Sequence, residues 1–191
     1  ASIYTTIIMP CTAKSFEIDR PEMNASGFRD TDAVLTTREL AQWIKAEGID
    51  FMNLPDEEVD QLLGEYTGAG NIFGASGGVM EAALRTAYET VTGKELPRLE
   101  FEEVRGGEGI RKATVQMGDK TVRVAVVGGL QYVNEALEQI RNGTADFDFM
   151  EVMACPNGCI SGGGQPKLSP APAAKKAALE ARTGSMYVHD E

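Results

Sequence analysis

Two apolar runs in this chain each lead straight into a cysteine. Ile3-Tyr4-Thr5-Thr6-Ile7-Ile8-Met9 is β-branched and nearly all apolar, and Pro10-Cys11 follows at once. The run from Phe147 to Val152 passes through Met153-Ala154 into Cys155. The first of these reads as a strand buried on both faces. Between them, strand signals alternate with helix signals, which predicts an α/β layer with a largely parallel sheet. We expect a mainly parallel four-stranded sheet flanked by helices, with strands near 3–9, 31–36, 122–127 and 147–153 and a β-hairpin arm. In such sheets binding groups collect beyond the C-terminal strand ends. Two cysteines 144 positions apart can therefore meet at one sheet edge.

Local signals place the remaining elements. Thr36-Thr37-Arg38-Glu39 reads as a capping box, opening a helix that turns Leu40, Ala41, Trp43 and Ile44 inward and stops at Gly48. Residues 53–72 read as loop, with a short acidic helical turn near Asp56, and the acidic stretches 56–60 and 100–103 as solvated faces. The Gly-rich run from Thr67 to Gly78 leads into a helix carrying Val79, Met80, Ala83, Leu84, Ala87 and Val91 inward and ending at Gly93. Leu99-Glu100-Phe101-Glu102 alternates like an edge strand. Gly118-Asp119-Lys120 joins two hairpin arms. Val133, Ala136, Leu137 and Ile140 mark a helix closed by Asn142-Gly143, and a last helix is expected over 173–182 after the Pro170-Ala171-Pro172 linker.

Composition excludes whole classes of function. Lys plus Arg is 18 and Asp plus Glu is 29, a formal net charge of −11. Such a chain is a poor partner for nucleic acid or an anionic bilayer. No apolar run approaches the roughly 20 residues of a membrane helix, so no membrane insertion is expected. The single histidine is His189, which leaves His-based triads and His-rich zinc sites without material. No lead-in precedes the first strand, which reads as a cut inside a larger protein.

Cys155 and Cys159 are four apart with Pro156 and Gly158 between them, and Gly162-Gly163-Gly164-Gln165-Pro166 follows. Such a turn lets two thiolates converge on zinc or an iron–sulfur cluster. A Cys-x-x-x-Cys pair alone is more simply two inert buried thiols. The flanking Pro and Gly weigh the other way, because that backbone is built for close approach. Cys11 makes a third thiol, whereas closed zinc and cubane sites use four ligands. Lys14 reads either as a solvated lysine or as an ammonium donor to an anionic ligand. Met9 and Met153, each two residues before a cysteine, suit core packing or a soft pocket wall, and Phe73 stands in the Gly-rich loop. That loop lacks Gly-Lys-Ser/Thr and the dinucleotide spacing.

Together Met9-Pro10-Cys11-Thr12-Ala13-Lys14, Glu151-Val152-Met153-Ala154-Cys155-Pro156-Asn157-Gly158-Cys159 and Gly162-Gly163-Gly164-Gln165-Pro166 resemble the catalytic domain of the iron-only ([FeFe]) hydrogenases. The run from Thr67 to Arg85 is similar to that family's glycine-rich segment and helix. The resemblance implies one lobe of a two-lobed catalytic domain, with residues 1–168 as the C-terminal lobe and 169–191 as linker, helix and tail. It implies an H-cluster in the parent protein, a [4Fe-4S] cluster joined to a two-iron subsite, with reversible interconversion of H2 with protons and electrons. On the matching positions, Cys11 and Cys155 would be cubane ligands, Cys159 the ligand bridging to the two-iron unit, and Lys14 the donor to a cyanide. Met9, Phe73 and Met153 would be pocket residues.

The sequence also departs from the family. The motif that supplies the fourth cluster cysteine and the relay cysteine is absent from these residues, as are the relay acids. Asn157 stands where glycine is usual and Ser15 where a second lysine is common. The resemblance therefore implies a partner lobe carrying the fourth cysteine, an incomplete cofactor and no turnover in this chain alone. It also implies a redox carrier such as ferredoxin or an NAD(P)H-linked subunit. Cytoplasm is the default compartment, with export alongside a partner subunit left open. Two other readings stand beside this one: a non-hydrogenase homologue that assembles or scaffolds iron–sulfur clusters, and a zinc-bound or metal-free interaction module.

Overall fold

In the computed structural model, residues 3–57, 68–94, 107, 109–188 and 190 are described. The expected strand at 99–102, the acidic stretch 100–103 and residues 58–60 of the other acidic stretch lie outside them. The chain divides into two units: residues 1–65 with 162–169, and residues 66–161 with 170–191.

In the first unit, β1 (Thr6–Met9) pairs in parallel with β2 (Ala33–Thr36), Ile7 opposite Val34. The Asp32 carboxylate accepts the Thr5 amide at 2.7 Å, which fixes the entry to this register. A four-residue helix, α1 (Lys14–Glu17), follows the Cys11 loop. Helix α2 (Thr37–Ala46) opens with the expected capping box. Thr36 Oγ1 accepts the Glu39 amide, and the Glu39 carboxylate accepts the Thr36 amide and hydroxyl. These bonds hold the Glu39 carboxyl below its usual value, the Thr36 amide first. α2 ends as a Schellman motif, Gly48 N–H to Lys45 O and Ile49 N–H to Ile44 O, with Gly48 at φ +68°.

Burial in this unit falls short of the sequence expectation. Within the described residues Leu40 and Ile44 are half-buried, whereas Ala41 and Trp43 are exposed, Trp43 at 55%. β1 alternates between exposed and half-buried residues and starts at Thr6, leaving Ile3 and Tyr4 exposed. A two-stranded sheet has no second layer large enough to cover both faces.

The second unit holds the larger core. β3 (Gly109–Met117) and β4 (Lys120–Gly128) form the expected hairpin, with Met117 opposite Lys120. Gly118, at φ +63°, takes the first central position of the two-residue turn, where the primed hairpin turns need a left-handed residue. β5 (Phe149–Met153) adds in parallel to β4. Val124, Ala125, Val126 and Val127 are fully buried, as befits a central strand covered on both faces. Helix α3 (Gly78–Thr92) lays Met80 and Leu84 on Val115, Met117, Val124 and Val126. Val79 and Val91, expected inward, are exposed. Helix α4 (Val133–Arg141) buries Ala136 and closes at Asn142 and Gly143. Helix α5 (Pro172–Tyr187), with proline at its start, runs five residues past its expected end. It packs Met186 over Gly74, and its Tyr187 hydroxyl donates to buried Glu81.

The architecture is α/β as expected, but the strands do not form one four-stranded sheet. Among the described residues there is a two-stranded parallel sheet and a three-stranded mixed sheet, the hairpin arm β3 being an integral strand of the second.

Candidate metal centre

The chemistry of the second unit gathers at the end of β5. Past Met153, the Met153 and Ala154 carbonyls accept the amides of Gly129 and Leu130. The chain then turns back on itself. Cys155 O accepts the Gly158 amide at 3.0 Å, with Pro156 and Asn157 central and Asn157 at φ +64°. Proline followed by a left-handed residue is the signature of a type II turn. Asn157 takes the role glycine plays in such turns because its short polar side chain tolerates this region. A single 3-10 turn, Cys159–Ser161, follows. Two thiols thus stand at either end of one tight, backbone-defined bend.

The bend is clamped by neighbouring backbone. Asn157 Oδ1 accepts the Gly107 amide at 2.8 Å, the Asn157 amide donates to Gly107 O, and Asn157 O accepts the Ser76 amide at 3.1 Å. A Cβ on Gly158 would sit 2.6 Å from Ser76 N, and Gly158 also has φ +84°. Only glycine meets both demands. The Ser161 hydroxyl donates back to Pro156 O, and Arg182 of α5 donates to Ile160 O at 2.8 Å.

Beneath the bend lies a buried polar row that the sequence reading missed. Arg111 of β3 and Glu151 of β5 both stand opposite Val126 of β4, so all three project from one face of the sheet. Glu151 is 7% exposed. Its Oε1 accepts the Gly77 amide at 2.7 Å and its Oε2 the Met80 amide at 2.6 Å, capping α3 from another element. A carboxylate at a helix N-terminus is stabilised by the free amides and the helix dipole. The Gly-rich loop therefore presents those two amides to an internal anion and not to a phosphate. Arg111 Nη2 donates to Ser76 Oγ at 2.9 Å. Burial pushes the Arg111 pKa down and the Glu151 charge opposes that shift. The available signal was phase: Arg111, Ala113, Val115 and Met117 share one face of β3, so a cation there faces the core.

In the first unit, Cys11 follows β1 through Pro10. The Gly164 amide donates to Pro10 O at 3.1 Å, Gly164 O accepts the Arg38 amide, and Gly163 O accepts Arg38 Nη2 at 2.9 Å. Cβ atoms would meet Thr12 Oγ1 at 3.1 Å from Gly163 and the Pro10 carbonyl carbon at 3.0 Å from Gly164. The close approach expected of the Gly-rich run is thus made to the Cys11 loop and the start of α2. Lys14 pairs with Glu17 one turn along α1.

Cys11, Cys155 and Cys159 are all half-buried and none is in a disulfide. Met9 and Met153 are half-buried at the strand ends, and Phe73 is 47% exposed. Within the second unit the structure brings together Cys155 and Cys159, while Cys11 and Lys14 belong to the first. Among the described residues no three His, Cys, Asp or Glu side chains form a metal-sized group. Three cysteine sulfurs on glycine-shaped loops suit iron in their chemistry, and their number is one short of a cubane's usual four.

Residues 1–163 match the family model described as "Iron only hydrogenase large subunit, C-terminal domain". The chain belongs to that family. It is 54% identical over 164 residues to the "Periplasmic [Fe] hydrogenase large subunit" of Nitratidesulfovibrio vulgaris, covering 86% of this chain and 39% of that protein. A solved variant of the [FeFe]-hydrogenase HydA1 from Chlamydomonas reinhardtii superposes with a TM-score of 0.71 at 39% identity, covering 92% of this chain and 52% of that one. A more distant relative is "Cytosolic iron-sulfur assembly component 3" of Mus musculus, 29% identical over 170 residues, 86% of this chain and 36% of that protein. The chain spans about a third of the length of the curated hydrogenase relatives it matches, between 27% and 39%. No helix among the described residues is long and apolar enough to cross a membrane.

Proposed function

We propose that this chain is the part of an iron-only hydrogenase large subunit that supplies three of the sulfur ligands of the H-cluster, in a parent enzyme interconverting H2 with protons and electrons. The observation that carries the reading is the Cys155–Cys159 bend: two cysteines outside any disulfide flank a turn whose backbone is fixed by Gly107 and Ser76, in a chain of the hydrogenase family. Cys11 and Cys155 would ligate the [4Fe-4S] cluster. Cys159 would hold the cluster and the two-iron subsite together through one sulfur. When bound, the group supplies electron storage and an open metal position for splitting H2. The protein's part is to orient and to exclude water. Lys14 would release Glu17 and donate to an anionic ligand of the two-iron unit, and Met9, Met153 and Phe73 would wall the pocket with soft or apolar surface.

A fourth cysteine and the proton relay would come from a partner lobe, and electrons from a carrier such as ferredoxin or an NAD(P)H-linked subunit. Cytoplasm is the working compartment; the name of the Nitratidesulfovibrio relative favours export as the second reading. The alternative function, iron–sulfur assembly, has the murine relative in its favour. Lys14 and the paired methionines weigh against it, because an assembly factor has no cyanide to hold.

The test is anaerobic purification of the full-length parent with iron, sulfide and zinc analysis, followed by insertion of the two-iron unit. Iron with sulfide and hydrogen evolution are expected, and Cys159→Ser should abolish evolution. Iron and sulfide without evolution in the matured protein would favour the assembly reading, and zinc or no metal would exclude both.

A further inference from the structure

The Arg111 guanidinium hydrogen-bonds one clamp of the cysteine bend and lies close to the other. Its Nη2 bonds Ser76 Oγ, and its Nη1 lies 3.0 Å from where a Gly107 Cβ would be. Ser76 and Gly107 are the two residues whose backbone holds Asn157, midway between Cys155 and Cys159. Arg111 Nε and Nη1 are buried with no hydrogen-bond partner among the described residues. Leaving two guanidinium N–H groups unbonded in the interior is costly, and neutral residues of similar volume pack such positions without that cost. A guanidinium does not give up its proton in a protein, so this is a permanent charge.

Resting on the function proposed above, we infer that Arg111 is a positioning charge that tunes the reduction potential of the iron–sulfur cluster seated on Cys155 and Cys159. Reduction adds negative charge to the cluster. A fixed cation beside its ligand bend favours the reduced form and raises the potential, since net charge and burial are among the main levers on such clusters. Glu151, one strand beyond Val126 on the same face, opposes it with a buried negative charge. The two residues bracket the potential from opposite sides.

The test uses the full-length parent carrying only its [4Fe-4S] cluster, with the midpoint read by EPR-monitored redox titration, a readout independent of turnover. A buried unit charge near a redox centre, at an intermediate dielectric, acts on the scale of a tenfold change in equilibrium. Arg111→Gln should therefore lower the reduced-to-oxidised ratio at the wild-type midpoint about tenfold, about 59 mV for one electron. Arg111→Lys, which keeps the charge, should stay near wild type. Ser76→Ala, which removes the hydrogen bond and keeps the charge, should do the same. Glu151→Gln should move the midpoint upward, and it answers the question even where Arg111→Gln does not fold. An unchanged midpoint in Arg111→Gln, equal shifts in Arg111→Gln and Ser76→Ala, or a downward shift in Glu151→Gln would overturn the inference while leaving the proposed function intact. A wild-type protein that takes up no iron and sulfide would remove both.

Discussion

Asn157 combines a left-handed backbone with a side-chain bond to Gly107, and the two contributions separate by substitution. Asn157→Gly keeps the conformation and loses the bond, at a cost of about 1 kcal/mol. Asn157→Ala loses the bond and pays a further ~1 kcal/mol for the left-handed region. Chemical denaturation should rank wild type above Gly above Ala; equal values for the two variants would mean that the backbone conformation carries no cost here. Asp148 offers a test of electrostatics. Its carboxylate accepts from the Arg123 guanidinium and amide where β5 begins, and these bonds lower its pKa from 3.8 to about 2. A carboxyl depressed in the folded state stabilises above its unfolded pKa, and that stability is lost as pH falls from 3.8 towards about 2. Asp148→Asn should flatten the acid limb of the unfolding-midpoint profile in that window and leave its slope near neutral pH unchanged.

Elements whose signals are local were readable from sequence. The capping box of α2, the two-residue turn between β3 and β4 and the Gly93 and Gly143 helix ends each depend on residues within a few positions of one another. Partnerships set by tertiary packing were not readable. Strand runs gave no indication that β1 and β2 pair apart from β3, β4 and β5, because an apolar run specifies burial and not its neighbour. The cap of α3 was hidden for the same reason: Gly77 has no side chain, and Glu151 lies 74 positions away. The cysteines were legible as a metal-ligand candidate, and the glycines after them as a close-approach segment, but nothing in the sequence said that the segment meets Pro10. Gly164→Ala tests that contact. Its methyl would press on the Pro10 carbonyl carbon and on Thr36, 2.9 Å away, and should lower the thermal midpoint by more than Thr36→Ala. That second change removes only the cap, worth about 1 kcal/mol. A Gly164→Ala protein as stable as wild type would show that the segment gives way freely.

At the scale of the molecule, the second unit is tied together from its two sequence ends. Arg85 of α3 bonds Glu81, which is 1% exposed, and also Asp190 beyond α5, at 2.6 and 2.7 Å. These bonds raise the Arg85 pKa further above its already high value, Asp190 contributing most. Arg85→Ala would leave Glu81 buried without its cation, and removing one partner of a buried pair costs about 3 kcal/mol. We expect a comparable loss on unfolding, whereas Arg85→Lys should recover part of it; a loss under 1 kcal/mol would mean that the guanidinium is not what holds the buried carboxylate. The first unit has a different organisation. It takes residues 1–65 and then a second piece, 162–169, before the chain returns to the second unit. During synthesis β1 and β2 must therefore wait for nearly a hundred residues of the other unit before the strip that braces Pro10 emerges from the ribosome. Until then the Cys11 loop is a loose end. A chain ending before Gly162 would lack the strip whose Gly164 amide bonds Pro10 O, so the path of the backbone itself delays the bracing of that loop until the whole of the 66–161 stretch has been made.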